Sequence, residues 1–191
     1  MNDLTDKYLD EGEIVYAAKV DSVGVRAGEN RIQLDIYVKA QRVENLRVYW
    51  NNYEDSVDVE IGGKTGVFPV ILDDMPESGY LFQLVSFDKF GNRSLEFEAT
   101  GSSYGENYKN GLSNRSYTTE FTRYDMEGDS MVIYWGGTVR GAVGMELQYT
   151  DISDKTVRME VPADASTTTL YKLKGNVSYN LRFLPEENAI S

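Results

Sequence analysis

The residues of this chain that could do chemistry are carboxylates. They gather in "DDMPE" (73–77), "YDMEGD" (124–129) and "TDISDK" (150–155). Two carboxyl groups facing each other across a cleft, one of them with a raised pKa, can hydrolyse a glycosidic bond. Each of these clusters, however, has the composition of a turn in which aspartate caps backbone amides. None has the spacing of a calcium-binding loop. The expectation is solvated turns, with a glycan-active hydrolase as a remote alternative.

Two absences narrow the chemistry further. The chain has no histidine and no cysteine. That excludes histidine-based triads, thiolate nucleophiles, imidazole or thiolate metal sites, and disulfides. No catalytic residue, metal site or cofactor is expected. Nineteen basic residues face 31 acidic ones, a formal charge of -12. Such a surface repels phosphate backbones, so nucleic acid is not an expected partner. No stretch approaches the roughly 20 apolar residues of a membrane-spanning helix.

The elements that must position any functional group are strands. Apolar residues alternate in "RIQLDIYV" (Ile32, Leu34, Ile36), "LRVYW" (Leu46, Val48, Trp50), "SVDVEI" (Val57, Val59, Ile61) and "YLFQLVSF" (Tyr80, Phe82, Leu84). Period two is the signature of a strand with one buried face. Turn clusters such as "AGEN", "NNYED", "IGGKTG" and "DKFGN" separate the runs. Short strands at this spacing predict an antiparallel sandwich or barrel.

The second half repeats the first. "SMVIYW", "MELQY", "TVRMEV" and "YNLRF" follow the same scheme. Ile36 with Trp135, Val48 with Leu147, Trp50 with Tyr149, and Tyr80 with Tyr179 share one offset of 99 residues. The reading is an internal duplication. It predicts an N-terminal extension over 1–20, a first sandwich over 21–100, a linker over 101–116 and a second sandwich over 117–191. The linker is rich in Gly, Ser and Asn, but the three tyrosines of the stretch Ala99–Tyr117 suit partial packing. After "LRFLPEENAIS" little sequence remains for a final strand, so the last strand of the second sandwich is expected to be short or truncated.

"MPESGYLFQLVSFDKFGNRS" resembles strand F and its flanking turns in fibronectin type III domains. Tyr80 opens the strand, Phe82 and Leu84 follow, and Gly91 marks the turn. Tyr179, Leu181 and Phe183 repeat the pattern. Trp135 stands where that family usually has a strand B tryptophan; Ile36 departs from it. The resemblance implies an all-β fold of two tandem fibronectin type III-like sandwiches. It implies that Tyr80 and Tyr179 tie their hydroxyls to nearby backbone, and that Trp50 and Trp135 are core residues.

The opening "MNDLTDKYLDEGEIVYAAKVDSV" resembles the segment after the lipid-bearing cysteine in a family of surface lipoproteins of Gram-negative gut bacteria. That family has tandem fibronectin-like domains, sometimes followed by a carbohydrate-binding module. The resemblance implies an exported protein at the bacterial surface or in the periplasm. Membrane contact would then be only through a lipid anchor outside this sequence. It implies a non-enzymatic spacer, adhesion or interaction module in a setting of glycan capture, whose partner is a surface glycan or another surface protein. Asp-Ser-apolar triplets at Ser22, Ser56 and Ser130 resemble the O-glycosylation motif of such bacteria. The N-x-S/T pattern at Asn92, Asn114 and Asn176 carries little weight there.

One face could bind. If Leu46, Val48 and Trp50 point inward, Arg47 and Tyr49 point outward; likewise Leu81, Gln83, Val85 and Phe87 in the neighbouring strand. An outer face of Arg47, Tyr49, Leu81, Gln83, Val85 and Phe87 is too apolar to meet only water. Three covers are expected: the chain's own segments (the other domain, the linker or "EIVYAAKV"), a partner protein, or a sugar stacked on the aromatic rings. The last is the alternative reading of a direct carbohydrate-binding protein.

Overall fold

The computed structural model describes residues 15–122 and 129–190. The chain divides into two compact units, one running to Glu106 and joined by Ile190, the other Asn107–Ala189.

The first unit is a sandwich of two antiparallel sheets. β1 (Ser22–Gly28), β2 (Arg31–Val38) and β5 (Gly66–Leu72) make one, in the order β1-β2-β5. β3 (Asn45–Trp50), β4 (Asp55–Glu60), β6 (Ser78–Phe87) and β7 (Phe97–Ser103) make the other, in the order β4-β3-β6-β7. Alternation explains the register. Ile32, Leu34, Ile36, Leu46, Val48, Phe82 and Leu84 all face the interior and are at most 1% exposed. Each such side chain removed from water contributes about 1.5–3 kcal/mol. Trp50 lies at the margin of this core, partly buried against it. β7 completes the unit. It pairs Phe97 with Leu84, Ala99 with Phe82 and Gly101 with Tyr80. Phe97 and Ala99 pack on the core.

Turns take the residues that tolerate left-handed backbone. Asn51, Asn52 and Tyr53 all have positive φ between β3 and β4. Two asparagines suit this, whereas a bulky tyrosine there is held only by what its side chain does.

The stretch read as a linker, 101–116, contains the end of β7 and a short helix α1 (Glu106–Asn110). Ala17 and Val20 of the extension are buried in the first unit. The Ala17 N–H donates to Arg93 O at 3.1 Å.

The second unit contains β8 (Tyr117–Thr122), β9 (Asp129–Trp135), β10 (Ala142–Asp151), β11 (Thr156–Val161) and β12 (Thr167–Phe183). All five form one hydrogen-bonded sheet, β11-β10-β12-β9-β8. β12 makes this possible. Its first part pairs with β9 from Thr167 to Leu173, and its second part pairs with β10 from Leu173 to Phe183. The crossover falls at a register break between Leu170 and Leu173, where Lys172 has φ 57. β12 thus supplies one strand to each layer of the sandwich, the places that β5 and β6 hold in the first unit. The core is Met131, Ile133, Trp135, Met145, Leu147, Tyr149, Val161, Leu170 and Leu173. Among the described residues, no strand occupies the place that β7 holds in the first unit.

Candidate functional site

β3 and β6 lie side by side as expected, with Arg47 opposite Val85 and Tyr49 opposite Gln83. All six predicted residues sit on these two strands, but they do not form an open patch. Leu81 is 44% exposed, whereas Gln83 is 8% and Val85 1% exposed. Arg47, Tyr49 and Phe87 are half-buried.

Side chains of the same sheet engage Arg47 and Tyr49. Arg47 and Asp58 on β4 form a two-pronged ion pair, with Nη2 to Oδ2 at 2.7 Å. The hydrogen bond holds Asp58 below the usual carboxylate range and raises the Arg47 guanidinium further. Tyr49 packs on Tyr53, ring centroids 5.3 Å apart. The Tyr53 hydroxyl donates to Glu96 Oε2 at 2.9 Å. Tyr53 sits in the β3–β4 turn and Glu96 lies just before β7, so their bond passes over β6. The ring contact and this bond anchor the side chain of a residue whose backbone is left-handed. One atom there is left without a partner. Gln83 Oε1 is buried and accepts no hydrogen bond among the described residues. Such an orphan costs about 1–3 kcal/mol.

Beside this face stands the β6–β7 loop. Asp88 organises it as a turn: its Oδ1 accepts from the Phe90 and Asn92 N–H groups at 2.9 and 3.0 Å, and Oδ2 accepts from Asn92 Nδ2 at 2.8 Å. These bonds lower the Asp88 pKa, with Asn92 the largest cause. Gly91 supplies the positive φ of 83°. The turn holds Phe90 out, 78% exposed, with Lys89 Nζ 5.0 Å from its ring centroid. Leu95 nearby in sequence is 61% exposed. In the sequence this loop, "DKFGN", reads only as a turn. The signal it held was an aromatic between Asp and Gly, where a solvated turn has no use for one.

The carboxylate clusters are turns where they are described. Asp151 Oδ1 caps the Ser153 and Lys155 amides at 2.8 and 2.9 Å, and Asp154 pairs with Lys174 at 2.7 Å. Asp74 has φ 56 in the turn before Met75. Residues 124–128 of "YDMEGD" lie outside the described residues. Of the three serine triplets, Ser22 and Ser56 are exposed and Ser130 is half-buried.

The paired tyrosines do different things. Tyr80 donates to Pro76 O at 2.7 Å, four residues upstream. Tyr179 reaches Arg115 O at 2.6 Å instead. The reason is β12: it runs straight through to Tyr179, so no upstream loop offers a carbonyl. Burial raises the pKa of both phenols, and Tyr117 adds to it at Tyr179. Arg115, read as part of a linker, is buried at 4% exposure. Its guanidinium donates to Gly136 O at 2.6 Å and to Ala163 O at 2.9 Å, tying the start of β8 to two loops. Trp135 is buried as expected, its Nε1–H donating to Thr168 Oγ1 at 2.8 Å.

These elements define two tandem antiparallel β-sandwiches of the fibronectin type III kind. The chain belongs to the family DUF4998, described as a domain of unknown function, which it matches over residues 1–191. No curated protein matches it. Among solved structures it is similar to a segment of two fibronectin type III domains from chicken tenascin, at 17% identity and TM-score 0.36, covering 86% of this chain and 89% of that one. It is also similar to the FN1–FN3 domains of chicken CNTN1, at 14% identity and TM-score 0.44, covering 87% of this chain and 58% of that one. A third is the chitinase ChiA74 from Bacillus thuringiensis, at 13% identity and TM-score 0.38, covering 84% of this chain and 28% of that one. The assignment of the fold rests on the strand order above.

Proposed function

We propose that the chain is a non-enzymatic interaction module of an exported bacterial surface lipoprotein, working in a setting of glycan capture. It spaces a contact surface away from the anchor and carries one itself. The observation that supports this reading is Phe90. An aromatic ring 78% exposed on a turn fixed by one carboxylate is preorganised for contact and loses little freedom on binding. Leu95, at 61% exposure, adds apolar surface to the same loop. The outer sheet is the second part of the surface: Tyr49, Tyr53 and the Gln83 carbonyl, unpartnered among the described residues, lie there, and displacing Tyr53 from Glu96 would open them.

The experiment is binding of the purified chain to a panel of plant and host polysaccharides and to surface proteins, beside a Phe90→Ala variant. Loss of a polysaccharide signal in the variant promotes direct carbohydrate binding. Loss of a protein signal supports the adhesion reading. Signals that survive Phe90→Ala and Tyr53→Ala alike would refute a contact surface on this side of the first unit.

A further inference from the structure

The two units are copies of one plan, so the first shows which element is absent from the second among the described residues. In the first, β7 lies along β6 and closes the space to β1. Gly101 of β7 approaches β1 so closely that an added Cβ would come 2.2 Å from Val25 Cγ1. In the second, the register of β8 on β9 puts Tyr117 where Val23 stands, Thr119 where Val25 stands and Phe121 where Ala27 stands. Nothing among the described residues fills the space beside them. A groove of about 240 Å³ remains, lined by Tyr117, Thr119, Phe121, Trp135, Val177 and Tyr179 among others.

Exposure records the same gap. Phe82 and Leu84 are 0% and 1% exposed, whereas Leu181 and Phe183, their equivalents 99 residues on, are only half-buried. Tyr117 is 53% and Phe121 59% exposed. The backbone is open as well. Beyond Leu173, β12 pairs with β10 on one side, and no described strand or bridge pairs with the other. The chain itself turns away after β12: the Leu184 N–H donates to Gly141 O at 3.0 Å, and a turn from Glu186 to Ala189 follows. An unpaired edge beside an aromatic groove is the geometry of strand addition.

We propose that this groove is a strand-acceptor site: it takes one extended β-strand from another polypeptide, with apolar side chains at alternate positions, added to the free edge of β12. The chemistry of the incoming strand is that of β7. It places a large apolar residue opposite Phe183 and a small one opposite Leu181, as Phe97 and Ala99 do on Leu84 and Phe82. Further along it needs bulk rather than glycine, because the floor around Tyr179, Trp135 and Tyr117 is open; these rings meet edge to face at 5.1 to 6.0 Å. Main-chain hydrogen bonds supply affinity, and the groove selects side chains. The site does not depend on the Phe90 loop.

The test is hydrogen exchange on the full chain, read at amides 175–183, with ten-residue peptides added. One peptide copies Ser94–Ser103; others carry Leu, Val or Phe at its inward positions; a scrambled peptide is the control. The expected result is fast exchange at alternate amides of the free chain and at least about tenfold slowing by an alternating peptide but not by the scrambled one. Thr119→Trp, which fills the groove, should abolish the slowing while leaving the fold intact by circular dichroism. Slow exchange in the free chain at low concentration, or no slowing by any peptide, would overturn the proposal. Protection that grows with protein concentration alone would give the edge to a second copy and overturn it equally.

Discussion

Gly101 and Val25 touch across the closing edge of the first unit. They belong to β7 and β1, and the contact is closer than any side chain at position 101 permits, since a Cβ there would come 2.2 Å from Val25 Cγ1. Gly101→Val should therefore destabilise the first unit by about 1–3 kcal/mol through overpacking. Val25→Ala introduced together with it should recover part of the loss. Urea denaturation of the single and double variants measures this, and strict additivity would count against direct contact.

Arg115 offers a second prediction. Its guanidinium satisfies the carbonyls of Gly136 and Ala163 from a buried position. Arg115→Met keeps much of the volume but leaves these oxygens unpaired, at a cost of about 3 kcal/mol. Thermal unfolding should show the loss in the second unit while the first melts unchanged. A variant as stable as the parent would mean that water replaces the guanidinium without penalty.

Gln83 should behave in the opposite way. Its Oε1 is buried without a partner among the described residues, so Gln83→Leu removes a desolvated acceptor and should stabilise the first unit by about 1 kcal/mol. If the same change weakens binding to whatever the outer sheet contacts, the orphan carbonyl is kept for recognition. A Gln83→Leu chain less stable than the parent would show that the amide makes a favourable contact in solution.

The pH profile follows from the shifted groups. Tyr80 and Tyr179 are raised above the ordinary tyrosine value of 10.0 by burial. A raised pKa means that the folded state holds the proton more tightly. The stability from these phenols is complete below pH 10 and is lost as pH rises through their folded values. Asp58 and Asp88 are lowered from 3.8, so their contribution is present above that value and fades as pH falls through their folded values. Both carboxylates are solvent-facing, so the acid effect should be small and salt-sensitive. Alkaline unfolding should start above pH 10, and Tyr80→Phe should flatten it in the first unit. An unchanged alkaline limb in that variant would remove Tyr80 as its source.

Much of the fold was written locally. A strand with one buried side must alternate, so Leu46, Val48, Phe82 and Leu84 announced their faces in the sequence, and an offset of 99 between Tyr80 and Tyr179 announced the duplication. What alternation cannot carry is what lies on top of a face. Val85 points outward as its period demands, yet it is 1% exposed in a sheet where Tyr53 reaches Glu96, 43 residues away in the chain. Arg115 looked like linker because its partners, Gly136 and Ala163, are carbonyls that any residue could have offered. The open edge of β12 was decided at the same level. Residues 167–183 alternate like any strand, and only the pairing of one half with β9 and the other with β10 left, among the described residues, no strand beside the second half. Strand identity is a property of neighbours in sequence, whereas coverage depends on side chains and backbones that meet only after the chain has folded.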